Sequence, residues 1–122
     1  MILDAGVFIA LDNPSRARVV NGFLDAMRAD GEELITNDVV LAQAWRNPAK
    51  QVRLTRLVAV TTVYPFGDAQ TVGQKCRQSR TSDVVDASLA VLADQLSDTV
   101  LTSDPADMGR LGVKHLDLSK VR

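Results

Sequence analysis

The segment 82–105, SDVVDASLAVLADQLSDTVLTSDP, decides the fold because it pairs an amphipathic helix with a short strand. Ser82 is a residue type that caps helices, and apolar residues follow it at three- and four-residue spacing. These apolar residues are Val85, Leu89, Leu92 and Leu96. The run Thr99–Thr102 then predicts a strand, and Asp104-Pro105 predicts the start of another helix. A helix that leads directly into a short strand is typical of α/β folds.

The same alternation of short strands and longer helices extends outward from this segment over the whole chain. Predicted strands lie at 1–3, 34–35, 60–64 and 99–102, with an edge strand at 113–116. Predicted helices run from Pro14 to near Gly31, from a cap at Thr36 or Asn37, from Pro48, from Asp68 to about Gln78, from Ser82 and from Pro105. This rhythm predicts an α/β fold with a mainly parallel sheet.

Length and composition favour one domain that spans residues 1–122. A chain of 122 residues with 46% hydrophobic content can bury a real core but has no room for a second domain. The single cysteine, Cys76, excludes an internal disulfide, and the apolar runs are too short for a membrane span. We therefore expect a soluble, cytoplasmic protein. Because the net charge is only -1, affinity for a polyanion must come from local arrangement or from bound metal.

Aspartates occur where two predicted strands give way to helices. Asp4 follows the first strand and Asp104 follows the fourth, whereas Asp86 lies near the start of the helix between them. Ligands of open α/β sheets bind beyond the carboxyl ends of the strands, so these carboxylates converge if the two strands are neighbours. Such a cluster repels itself unless cations bridge it, and its hard oxygen ligands suit Mg²⁺ or Mn²⁺. The sequence therefore predicts a divalent-metal site.

Each of these aspartates also has a purely structural interpretation. Asp4 and Asp104 have the residue type and position of helix N-caps. Asp83 can favour the dipole of the helix that contains Asp86, and Asp86 itself can be an ordinary solvent-facing residue. Their joint placement at strand ends and at one helix start favours a shared site over these separate roles.

A metal held by carboxylates indicates hydrolysis of a phosphodiester, because the metal attracts the phosphate and activates a water. Other catalytic classes lack their motifs: the chain has no CxxC, no P-loop, no GxGxxG and only one histidine, His115. A dehalogenase-type phosphatase needs a second acid where this chain has Gly6. A receiver domain needs an aspartate after the third strand, where Tyr64-Pro65 stands.

Basic residues form a ridge that ends on the helix predicted from Pro48. Its members are Arg46, Lys50, Arg53 and Arg56. A ridge of this kind is usually a solvated helix face; it can also contact RNA backbone or an acidic partner segment. The neighbouring Trp45 lies among apolar helical residues, which favours a place in the core or in an interface over base stacking.

At this point the motifs resemble those of the PIN-domain ribonucleases, and specifically the toxin half of VapBC-type toxin-antitoxin pairs. The resemblance lies in Ile2-Leu3-Asp4-Ala5-Gly6-Val7-Phe8-Ile9-Ala10-Leu11, in Val40-Leu41-Ala42-Gln43-Ala44-Trp45-Arg46, in Thr81-Ser82-Asp83-Val84-Val85-Asp86-Ala87 and in Val100-Leu101-Thr102-Ser103-Asp104. These motifs occur in the family's order and spacing, and they cover nearly the whole chain. The resemblance implies a PIN-like three-layer α/β/α fold with a short parallel sheet flanked by helices.

The resemblance also implies a Mg²⁺- or Mn²⁺-dependent endoribonuclease that cuts structured cellular RNA (tRNA or rRNA). It further implies a homodimer, and a cognate VapB-type antitoxin whose tail occupies the active-site groove. The catalytic and metal-binding positions carried over are Asp4, Asp86 and Asp104, with Gln43, Asp83, Asp107, Thr102 and Ser103 as auxiliary residues. One departure is Gln43, which stands where many members carry a glutamate and is a poorer metal ligand. A second reading is therefore a catalytically weak PIN domain that binds RNA or its antitoxin.

Overall fold

Five parallel strands form one sheet in the computed structural model, which describes residues 1–122. The strands are β1 (Ile2–Leu3), β2 (Ile35–Asn37), β3 (Thr62–Tyr64), β4 (Val100–Thr102) and β5 (His115–Asp117). Their order across the sheet is β3-β2-β1-β4-β5, and every neighbouring pair is parallel. The predicted α/β fold with a parallel sheet is confirmed.

Seven α-helices connect and flank the strands. They are α1 (Ala5–Ile9), α2 (Pro14–Ala29), α3 (Asp38–Ala44), α4 (Val52–Ala59), α5 (Ala69–Ser79), α6 (Val84–Leu96) and α7 (Pro105–Arg110). Short 3₁₀ turns occupy Ala10–Asp12, Pro48–Lys50 and Leu118–Lys120. None of the helices combines the length and the apolar character that crossing a bilayer requires.

The two central strands, β1 and β4, lie at the heart of the core. Ile2 pairs with Val100 and Leu3 pairs with Leu101, and all four side chains are fully buried. Because helices cover the sheet, these strands consist of apolar residues without polar alternation. The register places Asp4 and Thr102, the residues that follow the paired ones, side by side at the carboxyl edge of the sheet.

Helix boundaries follow the predicted capping signals with two exceptions. Asn13 caps α2 and Asn37 caps α3, which resolves the choice between Thr36 and Asn37. The cap predicted at Ser82 is wrong. The carboxylate of Asp83 accepts a 3.0 Å hydrogen bond from the Asp86 N–H, so α6 begins one residue later than predicted.

The second exception is the helix predicted from Pro48, which the structure divides. Pro48–Lys50 forms a 3₁₀ turn, and α4 starts only at Val52. The buried Gln51 lies between the 3₁₀ turn and α4, and its side chain accepts hydrogen bonds from the N–H groups of Arg46 and Asn47. Helix α1 has no counterpart in the prediction, because five residues directly after a strand give too short an apolar pattern to recognise.

Candidate active site

Asp4 lies where β1 turns directly into α1. The residue is only 6% exposed. Its Oδ1 accepts a hydrogen bond of 2.9 Å from the Gly6 N–H, and its Oδ2 accepts one of 3.2 Å from the Ser103 N–H. Burial raises the pKa of Asp4, and hydrogen bonds from Thr102, Ser103 and Gly6 oppose part of that rise. Asp4 thus caps α1 and joins the end of β1 to the loop that follows β4.

Asp86 lies in the first turn of α6, where its side chain is half-buried. Burial, and then the negative charges of Asp83, Asp107 and Asp4, raise the pKa of Asp86 from 3.8 to about 7. The structure therefore brings Asp86 and Asp4 into one electrostatic environment, although they lie far apart in the chain.

The two aspartates of the α7 region face different neighbours. Asp104 is exposed and caps α7, its Oδ1 accepting a 3.2 Å hydrogen bond from the Asp107 N–H. Asp107 is among the main sources of the charge that raises the Asp86 pKa, whereas Asp104 is not. A hydrogen bond to the Asp104 side chain raises the pKa of Asp107, and Arg110, 3.1 Å away, opposes that rise. Asp107, expected as an auxiliary residue, is thus the α7 aspartate whose negative charge contributes to the raised pKa of Asp86.

The capping roles that the sequence left open are present in the structure. Asp4, Asp83 and Asp104 each accept a backbone hydrogen bond at the start of a helix. An ionised carboxylate offers about four acceptor positions, so one or two backbone hydrogen bonds leave others free. Capping and cation binding by the same aspartates are therefore compatible.

The donor set is made of carboxylate oxygens, which suit Mg²⁺ or Mn²⁺ better than a metal that prefers thiolate or imidazole. No group of three or more His, Cys, Asp or Glu side chains is placed so that it could hold a metal ion. The fit to a divalent cation therefore rests on the chemistry and the charge of the cluster. Carboxylates that raise the pKa of Asp86 by repulsion are relieved by a cation between them.

A close approach between α1 and the loop after β4 positions the two hydroxyl groups predicted near the site. A Cβ atom built on Gly6 would lie 2.5 Å from the Cβ of Ser103, so only glycine fits there without movement of the loop. Thr102 is fully buried, and its hydroxyl accepts a 2.8 Å hydrogen bond from the Asp104 N–H. Ser103 is exposed. Of the two hydroxyls, that of Ser103 is therefore the accessible one.

Sequence reasoning missed a buried polar network that joins α3 to α6. The Asn37 Oδ1 caps α3 by accepting from the Val40 N–H, and its Nδ2 donates a 3.0 Å hydrogen bond to the Ser88 Oγ. The Ser88 hydroxyl in turn donates to the Val85 carbonyl at 2.7 Å. The available signal was Ser88 itself, a polar residue next to the apolar stripe of a helix, which needs a partner when it is buried.

Thr36 makes a comparable contact between β2 and β1. Its buried hydroxyl donates a 2.9 Å hydrogen bond to the carbonyl of Leu3, the residue before Asp4. This side-chain contact adds to the strand pairing next to the candidate site and so holds the backbone from which the Asp4 carboxylate projects.

Gln43 is exposed in α3, and its side chain makes no hydrogen bond within the protein. The Gln43 side-chain amide is therefore available to bind a ligand. The other tempting residues have structural surroundings. Trp45 and Cys76 are half-buried against the core, and His115 Nδ1 lies 3.0 Å from the Val113 carbonyl.

The four predicted basic residues line a surface separate from the carboxylates. Arg46, Lys50, Arg53 and Arg56 border a groove of about 590 Å³ whose lining includes none of the aspartates of the cluster. On α4, Leu54 and Leu57 point into the core while the basic side chains remain exposed, as the spacing predicted. The structure thus presents an acidic cluster and a basic groove as two features.

Comparison with known proteins identifies the fold. No protein-family model matches the chain, and no curated protein sequence matches it. The fold is similar to that of a chain in the structure of FitAB bound to an IR36 DNA fragment, with a TM-score of 0.76, 18% identity, and coverage of 99% of this chain and 96% of that chain. It is also similar to FitAcB from Neisseria gonorrhoeae, with a TM-score of 0.75, 18% identity, and coverage of 98% and 99%. At this identity the likeness establishes the fold, which is PIN-like.

Proposed function

We propose that this protein is a metal-dependent endoribonuclease, the toxin of a type II toxin-antitoxin pair that acts in the cytoplasm. It hydrolyses phosphodiester bonds of cellular RNA, such as tRNA or rRNA. The observation that carries the proposal is Asp86, a half-buried carboxyl whose pKa is raised to about 7 by burial and by three surrounding aspartates. Strongly raised pKa values cluster at functional sites, and crowded carboxylates are stabilised in their ionised form by a cation.

Asp4, Asp86 and Asp104 hold Mg²⁺ or Mn²⁺ in this proposal, and Asp83 and Asp107 add negative charge around them. When bound, the divalent ion supplies an activated water and neutralises charge on the phosphodiester.

Backbone groups fix part of this site before any ion binds. The N–H groups of Gly6 and Ser103 hold one oxygen each of the Asp4 carboxylate, so its orientation is set by the chain. A fixed carboxylate needs no reorganisation when its ligand arrives. The exposed Ser103 hydroxyl is available as a hydrogen-bond donor to a phosphate oxygen.

The proposal includes a cognate VapB-type antitoxin and a homodimer. The antitoxin is supported by the likeness of this fold to chains of FitAB and FitAcB, a toxin-antitoxin complex. It is also supported by the motifs of this sequence that resemble VapBC toxins. Co-purification of a small protein with the tagged chain from its native cell, and the mass of the complex in solution, test these two assignments.

Cleavage of RNA by the purified protein tests the enzymatic proposal. Total cellular RNA is incubated with the protein, freed of any bound antitoxin, in the presence of Mg²⁺ or Mn²⁺ and, in parallel, of a chelator. We expect cleavage with either metal, and none with the chelator or with Asp4→Asn. Asp30→Asn is the matched control, because Asp30 is exposed at the end of α2, its side chain makes no hydrogen bond, and it lies outside the acidic cluster. Cleavage that persists in the chelator and in Asp4→Asn would contradict the metal-nuclease mechanism.

Gln43 favours a second candidate function, binding of RNA or antitoxin without turnover. A neutral amide is a poorer ligand than the glutamate many similar proteins carry at this position. Replacing Gln43 with glutamate is expected to tighten metal binding, measured by calorimetry, and to raise the cleavage rate. Unchanged metal affinity and rate would mean that this position is not a ligand site. A protein that binds RNA but cleaves it only after this substitution would support the second function.

A further inference from the structure

The basic groove lies between the 3₁₀ turn Ala10–Asp12, the end of α3 and the exposed face of α4. Ten residues line its volume of about 590 Å³. Four of them are the cations Arg46, Lys50, Arg53 and Arg56, and one, Asp12, carries a negative charge. Since the whole chain has a net charge of -1, this concentration of positive charge is a local property of the surface.

None of the four cations is neutralised within the protein. The ion pairs of the structure involve other basic groups: the amino terminus, Lys75 and Arg110. Arg46 Nη1 donates to the carbonyls of Ala42 and Trp45, and Arg53 Nη1 donates to the carbonyl of Leu11 at 3.4 Å. These contacts anchor the guanidinium groups to the groove wall, and their other nitrogens make no hydrogen bond within the protein.

Gln51 gives the groove its shape. This buried side chain accepts hydrogen bonds from the N–H groups of Arg46 and Asn47, at 2.9 and 3.0 Å. Its Nε2 donates to the Ala44 carbonyl at 3.0 Å and reaches the Asp12 Oδ1 at 3.5 Å. One residue therefore ties the end of α3, the start of α4 and the 3₁₀ turn together. A groove fixed in advance loses less entropy when a ligand binds.

The positive surface continues beyond the groove. A second concavity of about 250 Å³ shares Arg53 and Arg56 with it and adds Arg28 and Asp25 from α2, so cations outnumber the one carboxylate there. Lys50 ends the 3₁₀ turn before α4, and Arg53 and Arg56 follow on the first two turns of α4, so cations recur every three residues along this wall. A repeated series of cations suits a ligand that carries a charge on every unit, and a polynucleotide does so. An acidic protein segment rarely carries a carboxylate at every position.

The groove also lies close to the acidic cluster along the chain. Asp4 and Asp12 are joined by α1 and the 3₁₀ turn, which together span about 14 Å. The Asp12 side of the groove is therefore linked to Asp4 by one short helical segment.

We propose that this groove binds the phosphate backbone of the RNA that the acidic cluster cleaves, with Gln51 as the residue that keeps its shape. The inference rests on the proposed function for the identity of the ligand. The groove supplies sequence-independent affinity and positions the strand, and the carboxylates supply the chemistry.

Fluorescence anisotropy with a labelled, unstructured RNA oligonucleotide tests the proposal. A chelator is present throughout, so that binding is measured without cleavage. The variant Arg53→Gln/Arg56→Gln is expected to lose roughly 10-fold or more in affinity, and its salt dependence becomes shallower by about 1.4, as expected for two lost contacts to a single strand. The matched control is Arg18→Gln/Arg77→Gln, which removes the same charge from exposed positions outside the groove. Equal loss in both double variants would overturn the proposal.

Two further variants separate the effect on RNA binding from effects on folding and on catalysis. Lys50→Gln removes an exposed groove cation whose side chain makes no hydrogen bond or ion pair within the protein, and it is expected to weaken RNA binding with an unchanged melting temperature. Asp4→Asn leaves the groove unchanged and removes a negative charge that repels RNA when no metal is bound, so it is expected to bind RNA at least as tightly as the unmodified protein. If cleavage is never detected but this pattern holds, the proposed nuclease function fails while the groove assignment stands.

A labelled poly-glutamate peptide of the same length is the competing ligand. The unmodified protein is expected to bind the RNA more tightly than the peptide. Tighter binding of the peptide, lost in Arg53→Gln/Arg56→Gln, would overturn the RNA assignment and make the groove a site for an acidic protein segment.

Discussion

Burial and the negative charges of neighbouring aspartates make the ionised form of Asp86 unfavourable in the folded protein. In the folded protein its pKa is about 7, raised from 3.8, so at intermediate pH the folded state holds a proton that the unfolded state has lost. Its contribution to stability is therefore fully present below pH 3.8 and decreases as the pH rises toward 7. A bound cation changes this balance, because it favours the ionised carboxyl.

Asp86→Asn removes this titration. In a chelator, we expect the variant to have a higher melting temperature than the unmodified protein at pH 8, and the difference to shrink steadily as the pH falls to 4. The reason is that asparagine cannot ionise and so escapes the repulsion of the neighbouring aspartates. Thermal unfolding measured across this pH range checks the prediction, and parallel curves for the two proteins would contradict it.

Gly6 lies where α1 approaches the loop after β4 too closely for a side chain. Gly6→Ala places a Cβ atom against Ser103, and the loop after β4 must move, which weakens the hydrogen bond from the Ser103 N–H to Asp4. We expect a loss of about 1–3 kcal/mol in the free energy of unfolding, as for other overpacked sites, together with a loss of activity.

Chemical denaturation measures this effect, and two variants control it. Gly22→Ala in α2 meets no atom within 4 Å and is expected to stabilise the protein slightly, since alanine favours a helix. Adding Ser103→Gly to Gly6→Ala should restore stability. If the double variant is no more stable than Gly6→Ala, steric conflict with Ser103 is not the cause.

At the scale of elements, helix caps were the features most readily predicted. Asn13 and Asp104 cap α2 and α7, directly before the predicted starts at Pro14 and Pro105, and Asp68, predicted as the first residue of α5, is its N-cap. Capping depends on a side chain and an N–H two or three residues away, so the sequence contains both partners. Short strands were less certain: β5 begins two residues later than predicted, because its start depends on pairing with β4.

The contact between α3 and α6 yields a prediction at this scale. Ser88→Ala removes the acceptor for the buried Asn37 amide, and an unpaired buried donor costs about 1–3 kcal/mol. We expect a loss of that size in the free energy of unfolding. The control is Ser119→Ala, because Ser119 is exposed and its hydroxyl donates only to the Asp117 carboxylate at the surface. The effect of this substitution on the free energy of unfolding should stay within about 0.5 kcal/mol. Similar losses in both variants would argue against the role of the buried pair.

At the scale of the whole molecule, a nearly neutral chain separates its charges. The aspartates collect at the carboxyl edge of β1 and β4, whereas the groove collects four cations. If the acidic cluster binds a divalent ion, the folded state gains about 2.7 kcal/mol when the ion is present at 100 times its dissociation constant.

We therefore expect Mg²⁺ or Mn²⁺ to raise the melting temperature of the unmodified protein. The rise should be much smaller in Asp4→Asn and should be retained in Asp30→Asn, which leaves the cluster intact. Thermal scans with increasing metal check the prediction. An equal rise in all three proteins would mean that the ion binds elsewhere.

The sequence by itself determined the class of fold, most helix starts and the aspartates worth considering. Periodicity and capping are interactions between residues a few positions apart, so the sequence records them directly. Only the tertiary structure decided that β1 lies beside β4, that the Asp4 carboxylate meets the Ser103 N–H, and that Asp107 acts on Asp86 more strongly than Asp104 does. These relations join residues far apart in the chain, and the packing of helices against one sheet sets them.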